Sequence, residues 1–197
     1  MTYEELKADI ADTLNRQDLT SVIPSFITMA EASLNRDLKH FKQEKRATST
    51  FNDRFHTLPT DWLGTNRIVL DTNDVLRLIS IDDMQTMRFN YPQSGKPRYY
   101  AHVAGELELY PTPDVDYTGT LYYTAKLPAI ATTENFVAVD YPDLYLYGSL
   151  VHSAPYLKDD ERLGIWMGLY QAALLAANKQ SNESKYSGTG LKMKLRG

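Results

Sequence analysis

The sequence contains no cysteine, so disulfides, thiol catalysis and cysteine-ligated metal are excluded, and rigidity has to come from packing or assembly. No apolar run comes near the roughly 20 residues that a bilayer-spanning helix needs. The first residues, MTYEELKADI, are acidic and helical in pattern, unlike a secretory signal, so no membrane is expected as a partner. A basic excess is missing too. The net charge of -4 argues against a surface given over to gripping nucleic acid. There is no G-x-x-x-x-G-K-[ST], no G-x-G-x-x-G and no G-x-S-x-G, so nucleotide and acyl-transfer readings drop out. His40, His56, His102 and His152 are scattered, with no H-x-x-x-H pair and no carboxylate at ligand spacing. Neither a metal nor a cofactor is expected, and no catalytic residue stands out.

Hydrophobic residues make up 43% of the 197, enough for a core in one domain of ordinary size, and the 23% charged fraction excludes a largely disordered chain. The compositional oddity is fourteen tyrosines. A large apolar ring with a polar tip suits half-buried surfaces and subunit contacts.

Residues 141–182, YPDLYLYGSLVHSAPYLKDDERLGIWMGLYQAALLAANKQSN, read as two helices. Pro142 suits a first helical position, and Asp140 or Asp143 falls where a carboxylate meets the positive end of the helix dipole. Leu144, Tyr147, Gly148, Val151 and Ala154 recur at helical spacing, with Gly148 leaving room for a neighbouring backbone. Pro155 predicts an end or kink there. The second helix opens at Asp159 to Glu161 and carries one stripe, Leu163, Trp166, Met167, Tyr170, Ala173, Leu174 and Ala177.

A similar pair opens the chain. Thr2 and Glu5 have capping-box spacing before a helix over 3–16, and Thr20 or Ser21 is the expected cap of a second helix with Pro24 in its first turn. Its outer side, including Glu31, Asn35, Arg36, Asp37 and Lys39, is of mixed sign. From Phe41 the period becomes alternating. EKRATSTF, RFHTLP, NRIVL, VLRLISI, RYYAHV, ELELYP and TGTLYYTA are short, β-branched or aromatic, and separated by turn residues. In AHVAGELELY, Leu107 and Leu109 alternate with Glu106 and Glu108, predicting one face on the core and one in water. The expected class is α+β. A helical hairpin at 1–40 packs with a second at 129–182, an antiparallel β lobe of six or seven strands is inserted at 41–128, and an extended tail follows at 183–197.

Charged clusters have plain readings. Adjacent Asp159, Asp160 and Glu161 suit a helix start better than a glycosidase pair. Lys39, Lys42, Lys45 and Arg46 form a basic cluster without interleaved aromatics. In the tail, Leu191, Met193 and Leu195 alternate with Lys192, Lys194 and Arg196, the pattern of a strand able to dock along a partner.

Taken in order, ELKADIADTLNRQDLTSVIPSFITMAEASLNRDLK, LPTDWL, GKPRYYAHVAGELELYPTPDVDYTGTLYYTAKLPAI and YPDLYLYGSLVHSAPYLKDDERLGIWMGLYQAALLAANK resemble the tailed-phage head-to-tail adaptor proteins, connector subunits similar in role to tail tubular protein A. The resemblance implies a structural virion protein and not an enzyme, made in the host bacterial cytoplasm and placed at the head–tail junction. It implies a ring of twelve copies bound to the portal protein, with a downstream tail or nozzle protein below and DNA passing transiently through the channel. A closed ring needs different faces to meet, and the candidates are Glu31 and Arg36 on one side and Asp159, Asp160 and Arg162 on the other. The tail residues Leu191 to Arg196 are the candidates for docking on the portal. Two other classes are weighed against this reading. A virion-associated peptidoglycan hydrolase would have to use Asp159, Asp160 and Glu161 or the Glu106 and Glu108 pair, and a carbohydrate-binding module would use the tyrosines and the sheet.

Overall fold

The structure, a computed structural model, describes residues 1–157 and 161–186. It is a mixed α and β chain of two compact units, one formed by Met1–Gln43 with the residues from Leu127 on, the other by Glu44–Lys126. The described residues form seven α-helices and seven strands.

In the first unit, α1 (Tyr3–Leu14) begins with the capping box: Thr2 Oγ1 accepts the Glu5 N–H at 3.2 Å, and Glu5 Oε2 accepts the Thr2 N–H at 2.7 Å. Helix α2 (Ile23–Asp37) departs from its expected start. Val22 occupies the cap position and offers no side-chain bond, and Pro24 supplies the local preference by fixing φ where a missing donor costs nothing. A short α4 (Phe136–Asp140), capped by Asn135 Oδ1, precedes α5 (Pro142–His152). The helix then breaks at Ser153, whose Oγ donates to the Leu150 carbonyl at 2.7 Å. The expected break near Pro155 is thus present, two residues earlier, and Pro155 itself falls in the first turn of a new short helix, α6 (Ala154–Leu157). Helix α7 (Arg162–Tyr186) runs for 25 residues, roughly 38 Å at the ordinary helical rise.

Leu6 and Ile10 of α1, Phe26 and Ile27 of α2, Leu144 and Tyr145 of α5 and Trp166 of α7 share one buried core. Helix α5 is the middle member. A Cβ on Gly148 would meet the Ala30 methyl of α2 at 3.3 Å and the Tyr170 ring of α7 at 3.2 Å. The close neighbours at Gly148 are thus two side chains, where the sequence predicted a backbone. The segment leaving the second unit is fixed to α2 by polar side chains: Asn35 Oδ1 accepts the Leu127 N–H at 2.8 Å and Glu31 Oε1 the Ile130 N–H at 2.6 Å.

The second unit holds two sheets where the sequence predicted one. Strands β1 (Glu44–Phe51) and β3 (Trp62–Leu70) flank β7 (Tyr117–Ala125), and β2 (Phe55–Thr57), β6 (Glu106–Tyr110), β5 (Tyr99–Val103) and β4 (Arg77–Leu78) follow in that spatial order. The lobe is not wholly antiparallel either, because β4 pairs with β5 in parallel. The cause is α3 (Ile81–Asn90), capped by Ser80, which returns the chain to the end it left and so sets the next strand in the same direction. Phe51, Ile68, Leu70, Leu107, Leu109 and Leu121 form the core shared by the two sheets. Gly119 sits where β7 has no room for a side chain. A Cβ there would lie 2.7 Å from the Phe51 ring and 3.1 Å from the Val69 carbonyl oxygen. Gly119→Ala is expected to cost about 2 kcal/mol through overpacking, read as a lowered Tm in thermal unfolding; an unchanged Tm would mean that Phe51 swings aside freely.

Candidate assembly interface

The structure first disposes of several charged candidates. Glu108 points away from the shared core yet is only 1% exposed, because α3 covers that face. Arg54 approaches its Oε1 at 2.7 Å, Arg88 Nε donates to the same oxygen at 2.7 Å, and Gln85 Nε2 donates to Oε2 at 3.2 Å. Its lone pairs are committed to holding α3 and the turn before β2 onto β6, so the expectation of a face in water fails at this residue. Of the basic cluster, Lys42 pairs with Asp140 at 2.5 Å and Lys45 with Asp61 at 2.7 Å. Among the described residues no three His, Asp or Glu side chains gather as metal ligands, and no helix is long and apolar enough to cross a membrane.

The residues predicted for subunit contact are placed unevenly. Glu31 is half-buried, and its Oε1 also accepts the Tyr145 hydroxyl at 3.3 Å, so this carboxylate is engaged within its own unit. Arg36 is exposed and donates to Ser33 Oγ at 3.0 Å, which in turn meets His152 Nε2 at 3.0 Å and ties α2 to α5. Arg162 donates to the Thr13 carbonyl at 3.1 Å, near the negative end of α1, and lies over the Trp166 ring. Asp159 and Asp160, and the whole tail from Leu191 to Arg196, lie outside the described residues.

What sequence reasoning missed is the second face of α7. From Leu163 to Ala177 the helix carries no charge, and Gln171 is its one wholly polar side chain. The predicted stripe is largely turned inward, with Trp166 and Ala177 buried and Leu163, Tyr170, Ala173 and Leu174 half-buried; Met167 stays exposed. On the opposite side Ile165, Gly168, Leu169, Ala172, Leu175 and Ala176 fall on one line, with Ile165 63% and Leu175 72% exposed. A Cβ on Gly168 would meet nothing within 4 Å. The line turns polar only at Lys179 and Glu183, which pair with each other at 3.8 Å. A helix apolar on every side ordinarily belongs in an interior, and the absence of charge over four turns was the available signal.

Helix α2 offers a second outer face, formed by Ser25, Thr28, Met29, Ala32 and Arg36. Its hydroxyls are satisfied by the helix itself: Ser25 Oγ donates to the Val22 carbonyl at 2.7 Å and Thr28 Oγ1 to the Pro24 carbonyl at 3.0 Å. The part of the face from Ser25 to Ala32 can therefore be covered by apolar groups without orphaning a donor, while Arg36 at its end needs an acceptor from whatever covers it. Because α5 lies between α2 and α7, the unit has two distinct outer helices.

The end of α7 is fastened through His40. Its Nδ1 accepts the Lys42 N–H at 3.2 Å, so the proton sits on Nε2, 3.2 Å from the Tyr141 oxygen, and the Tyr141 hydroxyl donates to Gln180 Oε1 at 3.0 Å. Burial, with the Lys42 charge adding to it, pulls the imidazole below its ordinary range, and burial followed by the Arg36 charge does the same at His152. A folded state that resists protonation loses stability as pH falls through the unfolded histidine value of about 6.5, and gains nothing above it. The Tm is expected to hold from pH 8 to 7 and to fall toward pH 5, less steeply in His40→Gln; a profile flat through pH 6 would contradict the buried neutral assignment.

Set beside known proteins, the chain is matched over residues 1–192 by the family described as SU10 adaptor protein. No curated protein matches it. A match over nearly the whole length places the chain in the SU10 adaptor protein family of phage virion structural proteins.

Proposed function

We propose that the protein is a ring subunit joining the portal to the tail, and that the ring closes by packing the α7 stripe of each copy onto the outer face of α2 in the next. The observation that carries this is the apolar line from Ile165 to Ala176, which no other part of its own chain covers among the described residues. Adaptor membership supplies the setting, with portal and tail proteins as neighbours. Two different helices on the two flanks of α5 give a heterologous contact, the kind that closes into a ring when the rotation allows. Glu31 supports this surface from behind, and Arg36 sits within the α2 face. DNA passes through the centre without tight phosphate neutralisation, in keeping with a net charge of -4.

Such a contact is small for one pair and is multiplied around a circle, so free subunits stay monomeric or weakly paired and close only on a portal template. Sedimentation of the isolated protein tests this: slow monomeric species are expected, and stable rings without portal would refute the template requirement. The alternating residues Leu191 to Arg196 are the proposed portal-docking strand. Deleting residues 191–197 is expected to leave the Tm unchanged and to weaken co-sedimentation with portal rings at least tenfold; undiminished attachment would reject that role.

A further inference from the structure

At the β4 edge of the second unit, residues 91–98 run from the end of α3 to β5 and border two adjoining cavities of about 440 and 350 Å³, which share Lys96, Arg98 and Tyr99 in their walls. Arg77 and Asp74 line the smaller, and Tyr91, Gln93 and Tyr110 the larger. The backbone here is fixed: the Arg77 N–H donates to the Arg98 carbonyl at 2.9 Å, the Arg98 N–H to the Tyr110 carbonyl at 2.9 Å, and the Gly95 N–H to the Thr112 carbonyl at 2.8 Å.

The charges at this edge do not cancel. Asp74 is bonded by Lys96 Nζ and accepts from Thr72 Oγ1 at 2.6 Å. Those bonds, the Lys96 bond above all, hold its carboxyl below the usual range, with the charges of Lys96 and Arg98 adding to them. Arg77 and Arg98 are both exposed, and neither guanidinium has an ion pair or side-chain hydrogen bond among the described residues. Three cations gather about one carboxylate. At the other end Tyr91 is 64% exposed, its carbonyl held by the Tyr110 hydroxyl at 2.5 Å. Free guanidinium groups suit the oxygens of any anion, but an open aromatic ring one pocket away suits a ligand that alternates charge with flat rings.

We propose that this groove binds a single strand of nucleic acid, with its phosphates against Arg77, Lys96 and Arg98 and one base stacked on Tyr91. The site lies wholly in the second unit, so it stands or falls apart from ring closure through α2 and α7. Fluorescence anisotropy of a labelled oligothymidylate of about twelve nucleotides, on the full chain in salt from about 50 mM upward, tests it. Binding is expected with a log–log salt slope of about -1.4, from the two phosphates that meet the unpaired Arg77 and Arg98, since Lys96 is already neutralised by Asp74. Arg77→Ala with Arg98→Ala should weaken it at least tenfold and remove most of the slope; Tyr91→Ala should weaken it about tenfold and leave the slope in place. Both variants change exposed side chains, with Arg77→Gln and Arg98→Gln as substitutes if the alanine pair fails to fold. Absent binding, binding that the variants do not alter, equal binding of duplex DNA, or displacement by polyglutamate as effective as by unlabelled oligonucleotide would each overturn the proposal.

Discussion

Leu175→Asp is expected to abolish ring formation on portal while leaving the subunit folded. Leu175 is 72% exposed and contributes little to its own core, so the Tm of the isolated protein should move by no more than about 2 °C. In the proposed ring the same position would face a neighbour, and an aspartate there would have to be dehydrated against apolar partners at a cost of several kcal/mol per contact. About 2.8 kcal/mol already corresponds to a hundredfold loss in each association step, and the loss recurs around the circle. Met29→Asp, on the α2 face, should give the same phenotype. The two variants mixed supply a sharper test. Each retains the half-contact the other lacks, so an equimolar mixture should form a single pair and go no further, seen by analytical ultracentrifugation at high concentration. Full rings from either variant alone would remove α7 and α2 from the interface.

Glu108→Ala should be the most damaging single change in the second unit. It leaves Arg88 and Arg54 beside a vacated pocket with no counter-charge and opens a void beneath α3. Removing one partner of a buried ion pair costs about 3–5 kcal/mol. The lower end applies here, because Arg54 is partly in water and Arg88 keeps its bonds to Thr112 Oγ1 and the Leu109 carbonyl. Roughly 3 kcal/mol in a chain of this size lowers the Tm by about 10 °C. Glu108→Gln, which keeps the shape and part of the hydrogen bonding, should lose about half as much. If alanine is tolerated with a shift under about 2 °C, the carboxylate does not hold α3 in place.

Much of the fold was legible because its signals are local. The Thr2 and Glu5 box, Pro142 at a helix start and the strand preference of EKRATSTF each state a preference that tertiary packing did not override. What escaped is what depends on neighbours distant in sequence. The strand β4 is two residues long, and its direction is set by α3 alone, so a search for alternating runs could not separate one sheet from two. Glu108 sits in an alternating segment like any half-exposed strand; its burial follows from α3, an element distant in sequence that covers its face. On α7, choosing one apolar stripe hid the other, although a helix without charge from Leu163 to Ala177 admits two. Of the residues first assigned to subunit contact, Glu31 proved to serve the loop after Leu127, because a mixed-charge helix face looks the same whether water or its own chain satisfies it.

Electron cryomicroscopy of purified portal rings mixed with the protein tests the central claim most directly. A closed ring is expected in which Ile165, Leu169 and Leu175 of each copy are buried against Met29 and Ala32 of the next. Copies attached singly with that line of α7 open to solvent, or a ring whose contacts involve neither helix, would contradict it.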